Sequence, residues 1–75
     1  MKVSIKYCVP WNFFPQASSL EEELKANFTD IYVELIEGKG GVFKVKVDGK
    51  KIFSKKILGR FPHKGEVTNL INQMT

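Results

Sequence analysis

Cysteine and histidine are scarce in this sequence, which contains one of each, Cys8 and His63, among 75 residues. A single cysteine cannot form the internal disulfide framework on which many small secreted domains depend. Zinc sites need three or four Cys, His, Asp or Glu ligands around one point. We therefore expect neither an internal disulfide nor a bound metal.

Long apolar runs are also missing. Crossing a bilayer takes about 20 consecutive apolar residues, and no run in this sequence approaches that length. The first six residues, MKVSIK, alternate polar and apolar side chains and lack the apolar core of a signal peptide. The expectation is a cytoplasmic protein that does not engage a membrane.

Negative charge is scarce in the second half of the chain. Residues 38–64 hold nine Lys and Arg side chains and one acid, Asp48, whereas residues 1–37 hold six acids and three bases. Such a block attracts anionic partners, although lysines on an exposed strand more often protect a sheet edge from pairing. No stacking motif for RNA accompanies them. We do not expect nucleic-acid binding; acidic proteins and glutathione carboxylates are the alternatives.

Alternation of polar and apolar residues predicts four strands. The first contains Val3, Ile5 and Tyr7. Asp48-Gly49 predicts a hairpin, because a type I′ turn requires positive φ at both central residues. The other three predicted strands cover residues 30–36, 43–47 and 51–57.

Apolar residues at helical spacing predict two helices. The first begins near a capping Asn12 with Pro15 in its first turn, or else at Ser18 and Ser19. We favour the earlier start, because proline is tolerated there and Ala17 already fits the apolar stripe. The residues that mark the helices are Ala17, Leu20, Leu24 and Phe28 in the first and Val67, Leu70, Ile71 and Met74 in the second.

The predicted order is β-α-β-β-β-α. The first β-α-β step requires a right-handed crossover and a parallel strand pair, and the hairpin adds an antiparallel pair. Polar residues that share one parity, Lys6, Glu34, Lys44 and Lys46, predict a water-facing sheet surface. The predicted fold is a two-layer α/β sandwich, with a four-stranded mixed sheet and both helices on one face. We expect residues 1–75 to form one domain.

Cys8 is the residue most capable of covalent chemistry. It lies where the first strand ends before the first helix, and the positive end of a helix dipole and free backbone N–H groups favour a thiolate. Its parity matches solvent-side Ser4 and Lys6, which favours an accessible thiol. The alternative is a small buried apolar residue, and both interpretations stay open.

Aromatic residues lie close to the cysteine in sequence, namely Trp11, Phe13 and Phe14, and Phe61 in the last loop could join them. One or two of them can cap the core where the chain enters the helix. They can instead form an exposed apolar patch that docks a partner near the thiol. His63 could approach the thiol as a base, although a lone histidine in a Pro/Gly loop is more often solvated.

Several stretches of the chain together resemble one known family. They are residues 5–17 (IKYCVPWNFFPQA), residues 41–49 (GVFKVKVDG), and FSKK followed by GRFP within residues 53–62. In this order they resemble the selenoprotein W-like (Rdx) family over nearly the whole chain. The resemblance implies a thioredoxin-like fold and a redox role through a Cys-x-x-Cys or Cys-x-x-selenocysteine motif in the first loop.

The sequence departs from the family at this motif. Cys8 matches the first cysteine, but Trp11 stands where the second redox residue is expected. In a dithiol motif the second thiol resolves the mixed disulfide, which tryptophan cannot do. One hypothesis is a monothiol oxidoreductase that forms mixed disulfides with glutathione or partner proteins through Cys8. The other is a non-catalytic protein-interaction domain that has lost the redox motif.

The predicted functional residues lie around that motif. Cys8 is the predicted nucleophile, and glutathione is expected as a co-substrate, with no resident cofactor. The residues predicted to contact partners are Val9, Pro10, Trp11, Asn12, Phe13 and Phe61.

Overall fold

The computed structural model describes residues 1–74, which contain four strands and three helices. The strands are β1 Lys2–Cys8, β2 Tyr32–Gly38, β3 Phe43–Val47 and β4 Lys50–Ser54. The helices are α1 Phe14–Asn27, α2 Lys55–Leu58 and α3 Glu66–Met74. Within this part of the chain no helix combines the length and the apolar character needed to cross a membrane. The predicted element order is confirmed, with the short α2 as an addition.

The sheet has the strand order β2-β1-β3-β4. β1 pairs parallel to β2 and antiparallel to β3, and β3 pairs antiparallel to β4. The mixed sheet is therefore as predicted. Because β1, β2 and β4 run in one direction, their carboxyl ends meet at the same edge of the sheet. Cys8 is the last residue of β1. This strand lies between β2 and β3, and the chain continues from it into α1.

The core lies on one face of the sheet. Alternate residues of β1 and β3, such as Ile5 and Val45, pack there with Leu24 of α1 and with Val67 and Ile71 of α3. Burying one such side chain contributes about 1.5–3 kcal/mol. Both long helices thus cover the same face, as predicted, and the opposite face of the sheet is open.

The hairpin between β3 and β4 follows the prediction, but the end of β4 does not. Asp48 and Gly49 have φ angles of 49° and 86°, which fit a type I′ turn. The strand stops at Ser54, before its predicted end, and α2 follows. Gly59, with φ of 76°, terminates α2, and its N–H donates to the Lys55 carbonyl at 2.6 Å. A left-handed glycine after a helix is the usual C-terminal signal.

Helix α1 begins at Phe14 with Pro15 in its first turn, which confirms the earlier of the two predicted starts. The predicted cap is wrong. Phe13 occupies the N-cap position and contributes no side-chain hydrogen bond. Asn12 instead adopts φ of 58° in the turn before the helix, a conformation that asparagine tolerates better than most residues.

Candidate functional site

The backbone of Cys8 is fixed at the end of β1. Its register partner in β2 is Gly38. The Phe13 N–H donates to the Cys8 carbonyl oxygen at 3.0 Å, and the Val9 N–H donates to the Gly38 carbonyl at 3.0 Å. The Cys8 side chain is 0% exposed. The expectation of an accessible thiol is therefore wrong for this conformation.

The chain around Cys8 explains why parity misjudged its exposure. Register partners on neighbouring strands point to the same face, so the space above Gly38 adjoins the Cys8 side chain. A Cβ added to Gly38 would lie 2.7 Å from Cγ1 of Val42 and 3.0 Å from Cε of Lys6. Both side chains thus cover the open face next to Cys8. Alternation identifies the face of a sheet, but it does not report what folds over that face.

The loop of residues 9–13 forms a tight turn at the surface. The Asn12 N–H donates to the Val9 carbonyl at 2.9 Å, and the Ala17 N–H then donates to the Phe13 carbonyl at 3.1 Å. Val9, Pro10, Trp11 and Asn12 are exposed, whereas Phe13 is half-buried against the core. Four of the five predicted contact residues of this loop therefore lie at the surface, next in sequence to a buried thiol.

Trp11 lies on the turn that follows β2. A Cβ added to Gly41 would lie 2.5 Å from Cζ3 of the Trp11 ring, and Gly41 has φ of 78°. Only glycine satisfies both the close approach and the positive φ. The ring also meets Phe13 edge-on, with centroids 5.9 Å apart, yet 62% of Trp11 remains exposed. The tryptophan at the second motif position thus joins the 9–13 loop to the turn after β2.

Phe61 lies against Phe13, one of the aromatic residues that follow Cys8 in the sequence, as expected. Its ring meets Phe13 at 4.8 Å and Phe43 at 5.1 Å, both edge-on. Lys55 of α2 places its Nζ 5.6 Å from the Phe13 ring centre and 5.3 Å from that of Phe61. An exposed cation–π contact contributes about 0.5–1 kcal/mol. Sequence reasoning missed Lys55, because no local pattern links it to residues in two other loops.

An ion pair orders the loop that carries Phe61. Arg60 donates from both terminal nitrogens to the Glu66 carboxylate at 2.7 and 2.9 Å, and also to the Phe61 carbonyl at 3.1 Å. Glu66 also accepts the His63 N–H at 2.9 Å. The Arg60 hydrogen bonds, followed by the His63 N–H, lower the pKa of Glu66 to about 2. The exposed His63 thus contributes its backbone to this loop.

A groove of about 790 Å³ lies between α1 and the loop of residues 60–64. Cys8 and the 9–13 loop do not line it, so the cavity and the thiol are separate features. Glu23, on its wall, accepts the Gly65 N–H at 3.1 Å and the Thr68 hydroxyl at 2.8 Å, which links α1 to α3. Nowhere in residues 1–74 do three or more His, Cys, Asp and Glu side chains gather as a metal site would require.

The architecture, with a cysteine at the end of a central strand before a helix, defines a thioredoxin-like α/β protein. Comparison with solved structures agrees. A selenoprotein W-related protein from Vibrio cholerae superimposes with a TM-score of 0.92 and 28% identity, covering 97% of this chain and 94% of its own. A protein from Bordetella parapertussis gives a TM-score of 0.93 and 25% identity, covering 99% of this chain and 96% of its own.

Sequence comparison then assigns the family. The sequence model of the Rdx family matches residues 2–73, so the chain belongs to the Rdx family. Migration and invasion enhancer 1 from Bos taurus is 26% identical over 73 residues, which is 97% of this chain and 64% of that protein. The protein of the same name from Mus musculus is 27% identical over 71 residues, covering 95% of this chain. The chain spans 64% and 62% of the length of these relatives.

Proposed function

We propose that this chain is a thiol-redox protein that forms mixed disulfides through Cys8 alone, with glutathione or with a partner protein. The observation that carries the proposal is the place of Cys8, at the end of the central strand immediately before the 9–13 loop and α1. Trp11 occupies the second redox position of the family, and the chain holds no other cysteine. The second sulfur of any disulfide at Cys8 therefore comes from outside these 75 residues.

The chemistry requires one thiolate and an external disulfide. The Cys8 thiolate attacks one sulfur of glutathione disulfide, forming the Cys8–glutathione bond and releasing one glutathione thiolate. A second glutathione thiolate then attacks the glutathione sulfur of the mixed disulfide. That step regenerates the Cys8 thiolate and glutathione disulfide. A partner-protein disulfide or thiol replaces glutathione in either step without changing the balance of atoms and electrons.

Reaction requires that the surroundings of Cys8 open, because the side chain is 0% exposed. The segment that must move is short. Residues 9–12 are exposed, and hydrogen bonds such as the one from the Phe13 N–H to the Cys8 carbonyl close the turn. Surface turns with few buried contacts open at lower free energy than the core. Helix α1 has no side-chain cap, so its first N–H groups can stabilise a thiolate once the turn opens.

The direct test measures adduct formation at Cys8 in the folded protein. Incubation with glutathione disulfide, followed by intact mass spectrometry, should show one glutathione per chain. Circular dichroism should show the fold retained, and the Cys8→Ser variant should show no adduct. A thiol that reacts only in urea concentrations that unfold the chain would contradict the proposal.

The burial of Cys8 and the exposure of Trp11 favour a second candidate, a non-catalytic interaction domain. In this alternative the exposed side chains of Val9 and Trp11 contact a partner protein, since exposed apolar patches mark such sites. Partner capture would then survive Cys8→Ser but not Trp11→Ala. Tyr32→Ala is the matched control, because Tyr32 is 61% exposed, compared with 62% for Trp11, and lies on β2. Capture lost with Cys8→Ser would exclude this alternative.

A further inference from the structure

The open face of the sheet concentrates positive charge in its central strands. Lys6 of β1 lies directly opposite Lys44 of β3, and Ser4 lies opposite Lys46. Past the register shift, where Ile52 is an extra residue in β4, Lys46 lies opposite Lys51 of β4. Residues directly opposite each other share a face and lie within about 5.5 Å. Four lysines therefore form a continuous surface, which we call the basic face (Lys6, Lys44, Lys46 and Lys51).

The lysines of the basic face have no acidic partner within residues 1–74. The ion pairs there are Lys2 with Glu34, Lys25 with Glu21, and Arg60 with Glu66. Glu34, the acid nearest in register to the basic face, is thus already paired with Lys2 at 3.6 Å. Like charges directly opposite each other destabilise a sheet. The clustered lysines therefore cost stability, and no acidic side chain in residues 1–74 compensates them. Proteins accept such a cost at functional sites, here where a ligand would supply the negative charge.

The shape and composition of the basic face select the class of ligand. A pocket of about 210 Å³ lies on it, lined by Ser4, Lys6, Ile36, Lys44 and Lys46. The pocket thus combines ammonium groups, one hydroxyl and one apolar wall, a set suited to carboxylates next to an aliphatic side chain. Proteins that bind single-stranded nucleic acid on a sheet stack bases on aromatic residues. On this face β1 and β3 present no aromatic residue. Tyr32 of the edge strand β2 is exposed on the same face, but it lies beside Lys2 and does not line the pocket.

We infer that the basic face is a docking surface for an acidic polypeptide segment, rich in Asp and Glu and carrying an apolar residue that contacts Ile36. The carboxylates pair with Lys6, Lys44 and Lys46, and the segment lies across β1 and β3. Charge complementarity increases the rate of encounter and selects against basic partners. This site is independent of Cys8, so its partner binds whether or not the thiol reacts.

The test uses a short fluorescein-labelled peptide of glutamate, aspartate and leucine, with binding followed by fluorescence anisotropy. The double variant Lys44→Glu, Lys46→Glu should weaken binding by about tenfold or more, equivalent to 1.4 kcal/mol. The control Lys56→Glu, Lys64→Glu changes net charge equally, at exposed residues outside the sheet. It should weaken binding by less than about twofold. Affinity should fall as salt rises above about 0.1 M.

Several results would overturn the inference. An equal loss in both double variants would show that net charge, and not the basic face, attracts the peptide. Tighter binding of an oligothymidylate or of phosphatidylserine vesicles would assign the face to another class of partner. A dimer abolished by Lys44→Glu, detected by sedimentation, would assign it to a second copy of this chain. Lys44→Gln with Lys46→Gln, checked by circular dichroism, should also weaken binding, which excludes misfolding caused by the introduced acids.

Discussion

Trp11 is a large, redox-inert residue three positions after Cys8, and the consequences of its placement extend to Gly41. The ring occupies the space where any side chain at Gly41 would lie, with a ring atom 2.5 Å from the position of a Cβ. It is also the only tryptophan of the chain, so its fluorescence reports directly on this contact. Trp11 fluorescence can therefore show how single substitutions change the packing of the 9–13 loop against Gly41.

Gly41→Ala should displace the Trp11 ring and destabilise the fold. Both Gly41 and Gly40 have positive φ, 78° and 72°, and alanine in that region costs about 1–2 kcal/mol. Only Gly41 also has an obstructing neighbour, since a Cβ at Gly40 meets nothing within 4 Å. The clash should add about 1–3 kcal/mol. The free energy of unfolding in urea should therefore be lower for Gly41→Ala than for the matched control Gly40→Ala. The Trp11 emission should shift in Gly41→Ala alone. Equal losses would contradict the close contact.

Glu66 predicts how stability changes with pH. Its pKa falls from 4.5 to about 2 in the folded chain through the Arg60 and His63 hydrogen bonds. A carboxylate with a depressed folded pKa stabilises the fold above its unfolded pKa, and this contribution is lost as pH falls through the folded value. The stability advantage of wild type over Glu66→Gln should thus be largest above pH 4.5 and shrink toward pH 2. Urea titrations of both proteins at several pH values measure this difference in the free energy of unfolding. An advantage that does not change with pH would mean that the ion pair adds nothing to stability.

At the scale of elements, like charges on the basic face oppose the pairing of β1 with β3, because Lys6 lies directly opposite Lys44. Lys44→Glu converts the directly opposite Lys6–Lys44 pair into an attractive one. The free energy of unfolding should rise by about 0.2–1 kcal/mol, and less at high salt, because screening weakens exposed pairs. The control Lys56→Glu, on α2, should stay within about 0.5 kcal/mol of wild type. A destabilised Lys44→Glu would show that the lysines do not repel each other in the folded sheet.

The elements that the sequence predicts well are those whose pattern is local. Alternation over β1 and β3 specified both the strands and their buried faces, because side chains alternate between faces at every residue. Asp48-Gly49 specified the turn because few residue pairs accept two positive φ angles. The end of β4 was missed because Lys55, Lys56 and Ile57 alternate in a way that can continue the strand past Ser54. Gly59, which terminates α2, was the available signal for a short helix there.

The candidate site was less predictable, because it depends on which segments fold over one another. Alternation predicts Cys8 on the open face, yet Cys8 is 0% exposed, and the side chains of Val42 and Lys6 lie over its register partner Gly38. Likewise Lys55 contacts Phe13 from across the fold. No periodic pattern relates such residues, so only the assembled structure reveals these contacts.

For the whole molecule, the deciding question is whether Cys8 becomes accessible by local opening or by unfolding of the entire chain. A domain of this size is stable by only about 5–15 kcal/mol. If exposure of the thiol requires global unfolding, its reactivity must follow global stability. If the 9–13 loop opens alone, its reactivity is independent of core packing elsewhere. The proposed redox function requires the second case.

Leu24→Ala separates these cases. Leu24 is 0% exposed in the helical layer of the core, near the end of α1 and outside the 9–13 loop, and its truncation should cost about 2–5 kcal/mol. With local opening, the rate of Cys8 alkylation in buffer should stay within about twofold of wild type. With global unfolding it should rise about thirtyfold or more, since each 1.4 kcal/mol changes the unfolding constant tenfold. Iodoacetamide labelling followed by mass spectrometry measures the rate. An alkylation rate that rises as stability falls would mean that the thiol does not react in the native chain, which favours the interaction domain. An unchanged rate would show that the turn after β1 exposes Cys8 while the core stays folded.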